Sequence, residues 1–513
     1  MNETPSAQDE SAGFDDRSVE PGVWRYARAK RASVIVDAAD YFDLMQQAML
    51  KARHRILLIG WDFDTRIHLA RGRKWYGKRG KGKYPSRLGS FILWLNRHRD
   101  DLDVRILKWS VGILKFLTRG SMTVDLVRWF PHKRIDFKFD TAHPFGGSHH
   151  QKIAVLDNSL AVCGGIDMTT HRWDTRDHVE DDPRRKRPRG SYYMPWHDAT
   201  MMMEGEVADV LDDLGRDRWR TAGGGTLEAI DPPSGSLWPD GLPAQFEDVE
   251  IGIARTRAEH EGRGAVNEVE QLFVRMIGRA RRFIYAESQY FASRAIAEAI
   301  VRRLEEPDPP EIVIVNPISA DGWIETQAMD HPRARLVAAV RAKDQKGRFH
   351  ILVPFTGEEA IYVHAKIMIV DDEMLRIGSA NMNNRSMGLD SECDIFIDAA
   401  RPGNDHARAG IAALRLSLVA EHCGLDEAEA KRLLEHYGSL AVMVREMKPN
   451  PRHLRPLQLD ELGDIEQALA DSALLDPETP DDIFAMPSER RGLFRKGGRL
   501  RKPFSYLKRK IRK

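Results

Sequence analysis

HQKIAVLD at residues 150–157 and HAKIMIVD at residues 364–371 are two copies of one pattern. In each copy a histidine is followed by a lysine two positions later and by an aspartate seven positions later. Of the 18 histidines in the chain, only His150 and His364 have a lysine at this spacing. Two copies in one chain predict a duplicated site, in which two similar lobes meet at one shared cleft.

Each copy begins on a predicted β-strand, because KIAVL at 152–156 and KIMIV at 366–370 are rich in residues that favour strands. Side chains two positions apart on a strand share a face, so each histidine lies beside its lysine. The strand then ends at Asp157 or Asp371, where the composition is typical of a turn. From their position alone, we expect these two aspartates to brace the hairpin or a lysine.

The agreement between the two copies continues after the hairpin. Equivalent offsets hold small residues, then a polar residue, then a second polar or acidic residue, in the pairs Gly164-Gly165 and Gly378-Ser379, Asp167 and Asn381, and His178 and Glu392. The returning strand brings Asp167 and Asn381 back toward the histidine end of each hairpin. The second half of the chain therefore repeats the plan of the first.

Two histidines and two lysines on facing edges suit phosphoryl chemistry. Lysines provide positive charge for a phosphate, and Ser379 and Asn381 provide neutral donors. A neutral imidazole can attack phosphorus, while a second, protonated imidazole gives its proton to the leaving oxygen. Glu392 can fix the tautomer of one histidine. The sequence shows no carboxylate cluster of the kind that Mg²⁺ or Ca²⁺ needs, so we expect neither a metal nor another cofactor.

Composition places this pattern in a globular α/β protein. The chain has 513 residues, 42% of them hydrophobic, and a formal net charge of +1, which excludes a disordered or fibrous chain. Strands and helices alternate in both halves, and the length suggests two core-sized units. The predicted units are a disordered acidic N-terminus at 1–22, a first lobe at 23–240, a second lobe with C-terminal helices at 241–447, an acidic linker at 448–489 and a polybasic tail at 490–513.

The segment Arg490–Lys513 contains twelve Lys or Arg residues and no acidic residue, with aromatic and aliphatic side chains between them. Such a tail suits an anionic membrane surface, at about 1 kcal/mol for each basic residue near it. A solvated tail, a tail paired with the acidic run before it, and a nucleic-acid contact are the alternatives. Three cysteines, no secretory signal and no run of apolar residues long enough to span a bilayer predict a cytoplasmic protein, with export by a non-classical route as the alternative.

The two copies resemble the HKD motifs of the phospholipase D superfamily. The flanking sequences are similar to the eukaryotic-type phospholipase D branch of that family, and they are Gly164-Gly165-Ile166-Asp167, Arg172-Trp173-Asp174, Pro195-Trp196-His197-Asp198, Ala286–Phe291, Ile377–Asn381 and Arg385-Ser386. The resemblance covers roughly Val34 to Ile397. It implies two α-β-α lobes packed about a pseudo-two-fold axis, with one active site between them.

The resemblance also implies a reaction. A head-group phosphodiester of a glycerophospholipid, such as phosphatidylcholine, would be hydrolysed to phosphatidic acid through a phosphohistidine, without a metal, and a primary alcohol could replace water. His150 would be the nucleophile and His364 the general acid and base. The implied catalytic set is His150, Lys152, Asp157, His364, Lys366, Asp371 and Glu392, and the implied phosphate-binding set is Asp167, Ser379 and Asn381.

Other readings of the same motifs remain open. One is a phosphatidyltransferase such as a cardiolipin synthase, although those relatives usually carry N-terminal membrane helices. A second is an HKD-type nuclease that grips nucleic acid with the basic loop Arg71–Arg87 and the tail, and the Arg-Trp-Asp and Pro-Trp-His-Asp context argues against it. A third is a catalytically silent binding protein, which the two complete motifs disfavour. We expect a monomer, bound peripherally to a membrane through Arg490–Lys513.

Overall fold

The computed structural model describes residues 14–70, 72–73, 83–109, 121–319 and 333–458. Its helices are α1 Ala38–Lys51, α2 Leu88–His98, α3 Ser121–Trp129, α4 Glu206–Thr221, α5 Glu268–Arg279, α6 Arg294–Leu304, α7 333–341, α8 Asn384–Gly388, α9 Ala407–Cys423, α10 Glu427–Tyr437 and α11 Leu440–Glu446. None of the helices in these ranges is both long and apolar enough to cross a bilayer.

The strands alternate with these helices along most of the chain. They are β1 Arg25–Val36, β2 Arg55–Gly60, β3 Asp103–Trp109, β4 Ile135–Asp140, β5 Ile153–Leu156, β6 Leu160–Gly164, β7 Trp196–His197, β8 Ala199–Gly205, β9 Phe246–Arg257, β10 Val266–Asn267, β11 Phe283–Glu287, β12 Glu311–Val315, β13 Phe349–Thr356, β14 Glu359–Ala360, β15 Tyr362–Val363, β16 Ile367–Val370, β17 Met374–Gly378, β18 Glu392–Asp398 and β19 Arg452–Pro456. The α/β class predicted from the sequence is confirmed.

Most strands join one large mixed sheet, and the order of strands in its first half is repeated in its second. The first half runs β4-β3-β2-β5-β6-β8-β1, and the second runs β13-β12-β11-β16-β17-β18-β9. The halves join where β1 pairs antiparallel with β9. The two HKD hairpins, β5-β6 and β16-β17, therefore occupy equivalent places in the sheet.

Apolar side chains cover both faces of the sheet. In β2, Leu57 belongs to a central core that both halves share, whereas its neighbours Ile56 and Leu58 belong to an outer core against α1 and α2. This alternation follows from the period of two along a strand. Helices α4 and α9 contribute to the central core, and α5 and α6 cover the outer face of the second half. The site described below thus rests on strands that are packed on both sides.

Two segments predicted to lie outside the folded lobes are part of the fold where the structure describes them. Residues 14–22, which composition assigns to a disordered lead-in, lie on the protein, and Asp16 forms ion pairs with Arg255 and Arg257 at 2.6 Å. Within the predicted linker at 448–489, β19 pairs antiparallel with β13, so the second half continues past residue 447. Composition missed both because ordering here depends on distant partners. The tail at 490–513, most of the linker and most of the basic loop 71–87 lie outside the described residues.

An aspartate closes each HKD hairpin. Asp157 and Asp371 sit at the turns with φ of 48° and 54°, and the residue after each also has a positive φ, as type I′ hairpin turns require. The Asp157 carboxylate accepts the backbone N–H groups of residues 53, 54 and 55 at 2.6–2.8 Å. Asp371 accepts those of residues 281, 282 and 283 at 2.6–2.9 Å. Each carboxylate therefore fixes the hairpin to the start of the neighbouring strand.

Replacement of Asp371 by alanine removes three hydrogen bonds to a charged acceptor. We expect Asp371→Ala to lower the free energy of unfolding by about 3 kcal/mol, measured by urea denaturation. Glu373→Ala is the control, because Glu373 makes a partly exposed ion pair with Arg408 and such pairs contribute about 1 kcal/mol or less. Equal losses in the two variants would contradict the bracing role.

Candidate active site

The two motif histidines are each held by a carboxylate from the other half of the sheet. His150 Nδ1 lies 3.1 Å from both carboxylate oxygens of Glu392, which begins β18. His364 Nδ1 lies 2.6 Å from Oδ2 of Asp198, which directly precedes β8. Because a carboxylate accepts the bond, Nδ1 carries the proton in both rings. The Nε2 atom of each imidazole is therefore the one available for chemistry.

Backbone pairing between the halves fixes these crossed contacts. The His150 N–H donates to the carbonyl of Ser391 at 2.9 Å, next to Glu392. In the same way, the His364 N–H donates to the carbonyl of His197 at 2.7 Å, next to Asp198. Strands β7 and β15 pair in parallel just before this point. The distance between each imidazole and its carboxylate is thus set by the main chain as well as by the side chains.

Each lysine lies beside the histidine of its own motif, as the sequence predicts. Lys152 Nζ donates to the carbonyl of His150 at 2.8 Å, and Lys366 Nζ donates to the carbonyl of His364. Both ammonium groups are buried, and Lys366 is fully enclosed. Burial lowers the pKa of Lys366 to about 7, although the charge of Asp198 opposes the shift. Two buried cations near the imidazoles create a site that favours an anion.

Glu392 is the centre of a buried hydrogen-bond network. Ser379 Oγ donates to Oε2 of Glu392 at 2.5 Å, and Ser386 Oγ donates to Oε1 at 2.6 Å. Burial opposes ionisation of this carboxyl, but His150 and the two hydroxyl groups outweigh it and lower its pKa. Glu392 is therefore an anion with all of its contacts made by donors. It holds His150 in one orientation.

The second histidine has the opposite electrostatic setting. Burial, together with the positive charges of Lys366, Arg172 and Lys152, moves the pKa of His364 well below its usual value. Burial raises the pKa of Asp198 to about 6, and the nearby cations limit that rise. His364 is thus a neutral imidazole in the free protein, next to a carboxylate that binds a proton more readily than usual.

Three of the residues predicted to bind phosphate or act in catalysis have other contacts. Ser379 Oγ donates to Glu392, so its hydroxyl supports that carboxylate. Asp157 and Asp371, which the resemblance includes in the catalytic set, hold the hairpin turns by backbone contacts. The contacts of these three side chains therefore support the site.

Asn381 and Asp167 lie at the histidine end of their hairpins, as the sequence predicts. The buried Oδ1 atom of Asn381 makes no hydrogen bond with the residues that the structure describes, and the Asn381 backbone N–H donates to Ser386 Oγ at 3.1 Å. Asp167 Oδ2 lies 3.4 Å from Nζ of Lys152, and its Oδ1 accepts the Trp61 N–H at 3.1 Å. The amide of Asn381 is thus suited to contact a ligand, whereas Asp167 neutralises part of the charge of Lys152.

Counting residues from each motif identifies the wrong partner for His364. Equal offsets pair Glu392 with His178, but His178 is fully buried and contacts Asp174 and Glu421. The true counterpart is Asp198, because β8 of the first half corresponds to β18 of the second. The connection that precedes β8 is longer than the one that precedes β18, and it shifts the count. Matching the strands rather than the offsets identifies the acid in the Pro-Trp-His-Asp sequence.

Several other residues lie around the two histidines, and the sequence assigns none of them to the site. The guanidinium of Arg172 stacks 4.3 Å from the ring centroid of Trp196, which in turn lies 5.2 Å from the ring of His364. Gln289 Oε1 is 3.4 Å from Nζ of Lys366. Trp61 meets the edge of His150 with ring centroids 6.3 Å apart. These contacts join residues that are distant in sequence, and only the fold reveals them.

A basic cavity of about 1270 Å³ lies in the first half, bordered by residues 169–171, which follow Asp167. Its basic lining residues are Arg66, Arg73, Arg87, Arg128, Arg184, Lys186 and Arg187. Two of them, Arg73 and Arg87, belong to the basic loop Arg71–Arg87.

Comparison with known proteins places these features in a family. The phospholipase D family model matches residues 342–468. The chain is 26% identical to phospholipase D alpha 1 of Carica papaya and 25% identical to phospholipase D alpha 1 of Nicotiana tabacum, with 75% and 83% of this chain aligned. It spans 63% and 70% of the lengths of those two relatives.

A solved structure supports the fold. Phosphatidylserine synthase of Haemophilus influenzae superimposes with a TM-score of 0.52 at 11% identity, covering 82% of this chain and 95% of that protein. At this identity the likeness concerns the fold alone.

The lowered pKa of Glu392 predicts a pH-dependent contribution to stability. A carboxyl with a depressed folded-state pKa stabilises the fold above its usual value of 4.5, and this contribution is lost as the pH falls through the lowered pKa. The difference in unfolding free energy between the wild type and Glu392→Gln should therefore be larger near pH 7 than near pH 3.5, by urea denaturation. Glu373→Gln is the control for loss of a partly exposed carboxylate. A difference for Glu392→Gln that grows toward acid would disprove the assignment.

Proposed function

Because this chain belongs to the phospholipase D superfamily of phosphodiesterases, we propose that it cleaves the head-group phosphodiester of glycerophospholipids and releases phosphatidic acid. The observation that carries the proposal is the crossed support of His150 by Glu392 and of His364 by Asp198. In this arrangement Nδ1 of each imidazole is engaged by a carboxylate and Nε2 remains for chemistry. The two rings lie in different electrostatic settings. One can become covalently bound to phosphorus, while the other transfers protons.

In the first step, the lone pair of His150 Nε2 attacks phosphorus, and the bond from phosphorus to the head-group oxygen breaks. Glu392 stabilises the positive charge that develops on the His150 ring, as a buried anion does for an adjacent imidazolium. His364 Nε2 gives a proton to the departing oxygen. The products are a free head-group alcohol and a phosphatidyl group on His150.

In the second step, His364 Nε2 takes a proton from water, and the resulting hydroxide oxygen attacks phosphorus. The bond from phosphorus to His150 breaks, which restores the neutral imidazole and releases phosphatidic acid. A primary alcohol in the place of water would give a phosphatidyl alcohol by the same proton transfers. The acceptor thus decides between hydrolysis and phosphatidyl transfer.

The substrate itself supplies part of the electrostatic balance. In the free protein, burial and the cations around His364 lower its pKa and keep it neutral. A phosphodiester adds one negative charge beside Lys152, Lys366 and Asn381, which can hold the non-bridging oxygens. This charge offsets the ammonium groups and raises the proton affinity of His364. Substrate binding therefore prepares the general acid.

A lipid surface is favoured over nucleic acid by an exposed apolar row on α3. Val124 and Val127 of α3, and Phe130 directly after its last residue, are spaced three residues apart and are 48%, 72% and 91% exposed. Arg128, also exposed, lies between them and borders the basic cavity. Apolar side chains flanked by cations are typical of an interface with anionic lipid. The tail Arg490–Lys513 would add to this contact.

Product analysis tests the reaction. Vesicles of mixed phospholipids should give phosphatidic acid. Added butan-1-ol should compete with water and give phosphatidylbutanol in an amount that rises with the alcohol concentration. His150→Ala and His364→Ala should each lower the rate roughly 10³-fold or more, because each removes a group that no neighbour replaces. His350→Ala is the matched control, since His350 is a half-buried histidine on β13.

The outcomes separate the alternatives. Cleavage of DNA or RNA without release of phosphatidic acid would favour a nuclease and overturn the proposal. Transfer to an alcohol with no hydrolysis in its absence would identify a dedicated phosphatidyltransferase. Full activity in either His150→Ala or His364→Ala would disprove the assigned roles.

The exposed row at α3 predicts that activity on vesicles depends on these side chains more than activity on a soluble substrate does. Val127→Ser and Phe130→Ser should reduce hydrolysis of vesicles several-fold, because each removes apolar area that would enter the lipid. Hydrolysis of a short-chain phospholipid below its micellar concentration should remain unchanged. Val179→Ser, which alters another exposed valine outside α3, is the control. Equal loss on soluble and vesicular substrate would exclude a membrane-binding role for α3.

A further inference from the structure

A second cluster of histidines and carboxylates lies next to the active site and takes no part in the proposed reaction. Four residues from separate elements each direct one ligand-type atom to a common point, and we call them the buried cluster: Asp37, His178, His197 and Glu421. Asp37 precedes α1, His178 lies in the connection between β6 and β7, His197 is in β7, and Glu421 is in α9. All four side chains are 2% exposed or less.

We propose that the buried cluster binds one divalent transition-metal ion, Zn²⁺ by its ligand set. Zinc is commonly bound by imidazole nitrogens and carboxylate oxygens, and the cluster offers two of each. Ca²⁺ and Mg²⁺ prefer oxygen ligands only, so the two imidazoles disfavour them. The proposal concerns a structural site and does not depend on the phosphodiesterase reaction.

The outer contacts of the two histidines are those expected of metal ligands. His178 Nδ1 lies 3.1 Å from Oδ2 of Asp174, and His197 Nε2 lies 2.7 Å from Oε2 of Glu287. When these nitrogens donate to their carboxylates, the other nitrogen of each ring presents a lone pair to the cluster. A carboxylate that orients a metal-bound histidine in this way is the usual outer partner in zinc sites.

The carboxylates of the cluster have outer partners too. Asp37 Oδ1 accepts the backbone N–H of Asp198 at 3.0 Å, and Glu421 Oε2 accepts from the guanidinium of Arg176. Their other oxygens, Asp37 Oδ2 and Glu421 Oε1, face the second ring nitrogen of each imidazole. Two carboxylate oxygens and two imidazole nitrogens therefore converge in a buried volume, and buried carboxylates require positive charge there, supplied either by protons on the imidazoles or by a metal ion.

Unmade hydrogen bonds mark the same point. Asp37 Oδ2 and His197 Nδ1 are buried and make no hydrogen bond within the described part of the chain. His178 Nε2 lies 3.4 Å from Oδ2 of Asp37 and 3.1 Å from Oε1 of Glu421, and His197 Nδ1 lies 2.9 Å from that same Oε1. Ligands at about 2.0–2.1 Å from a tetrahedral zinc are separated by about 3.3 Å, which is close to these spacings.

The position of the site gives the ion a role in geometry. His197 precedes Asp198, the carboxylate that holds His364, and its carbonyl accepts the His364 N–H at 2.7 Å. Asp37 holds the backbone N–H of Asp198 and so ties that residue to the cluster. A bound ion would fix the segment that positions His364. The ion would act on geometry and would not contact the phosphorus atom.

Metal analysis of the full chain tests the site. Protein purified without chelator or metal affinity should contain about one zinc per chain by inductively coupled plasma mass spectrometry. Glu421→Gln should reduce this content to a small fraction. Asp212→Asn is the matched control, because Asp212 is a buried carboxylate that pairs with Arg55 and is not a member of the cluster, and this variant should retain the ion.

A second measurement keeps the test independent of variants that fail to fold. Wild-type protein dialysed against chelator in mild urea should show a lower thermal midpoint, which added Zn²⁺ restores and added Mg²⁺ does not. Stoichiometric zinc with restoration supports the proposal. Absence of a transition metal from the purified protein, together with no thermal response to Zn²⁺, would overturn it and leave two protonated imidazoles as the positive charge of the cluster.

Discussion

The crossing of carboxylates between the two halves is the constraint on which the site depends. His150 is oriented by Glu392 of the second half, and His364 by Asp198 of the first. Neither half orients its own histidine, because the acid that holds each ring lies in the opposite half of the sheet. Pairing of β1 with β9 joins the two halves of the sheet at its centre. The site can therefore form only when the two halves of the sheet are correctly joined.

Burial makes this mutual dependence strong. Lys366 and Glu392 are inaccessible to solvent, and an isolated ion in such a place costs several kcal/mol. Each charge is tolerated because a donor or an opposite charge from another element lies beside it. Removal of one partner leaves the other charge buried without a partner, so each member of the site depends on the others. The hairpin braces at Asp157 and Asp371 add rigidity at the far ends of the same strands.

The sequence predicts the parts of this arrangement that repeat and misses those that do not. The two hairpins, their lysines and Asn381 follow from spacing, because a strand and its return have fixed geometry. Asp198 was not matched to Glu392, since the first half carries a longer connection before β8. The contacts of Ser379 with Glu392 and of Arg172 with Trp196 depend on packing between distant segments. Composition likewise could not show that residues 14–22 and 452–456 lie against the protein.

The duplicated halves are alike in geometry and unlike in electrostatics. The pKa of Glu392 is lowered by His150 and two serine hydroxyls, whereas burial raises the pKa of Asp198 to about 6. A pair of titratable groups whose environments differ in this way is how one fold separates a nucleophile from an acid. An anionic Glu392 favours positive charge on His150, which a covalent phosphorus intermediate requires. Burial and the cations around His364 keep that ring neutral in the free protein. In the proposed reaction, this asymmetry assigns the covalent step to His150 and proton transfer to His364.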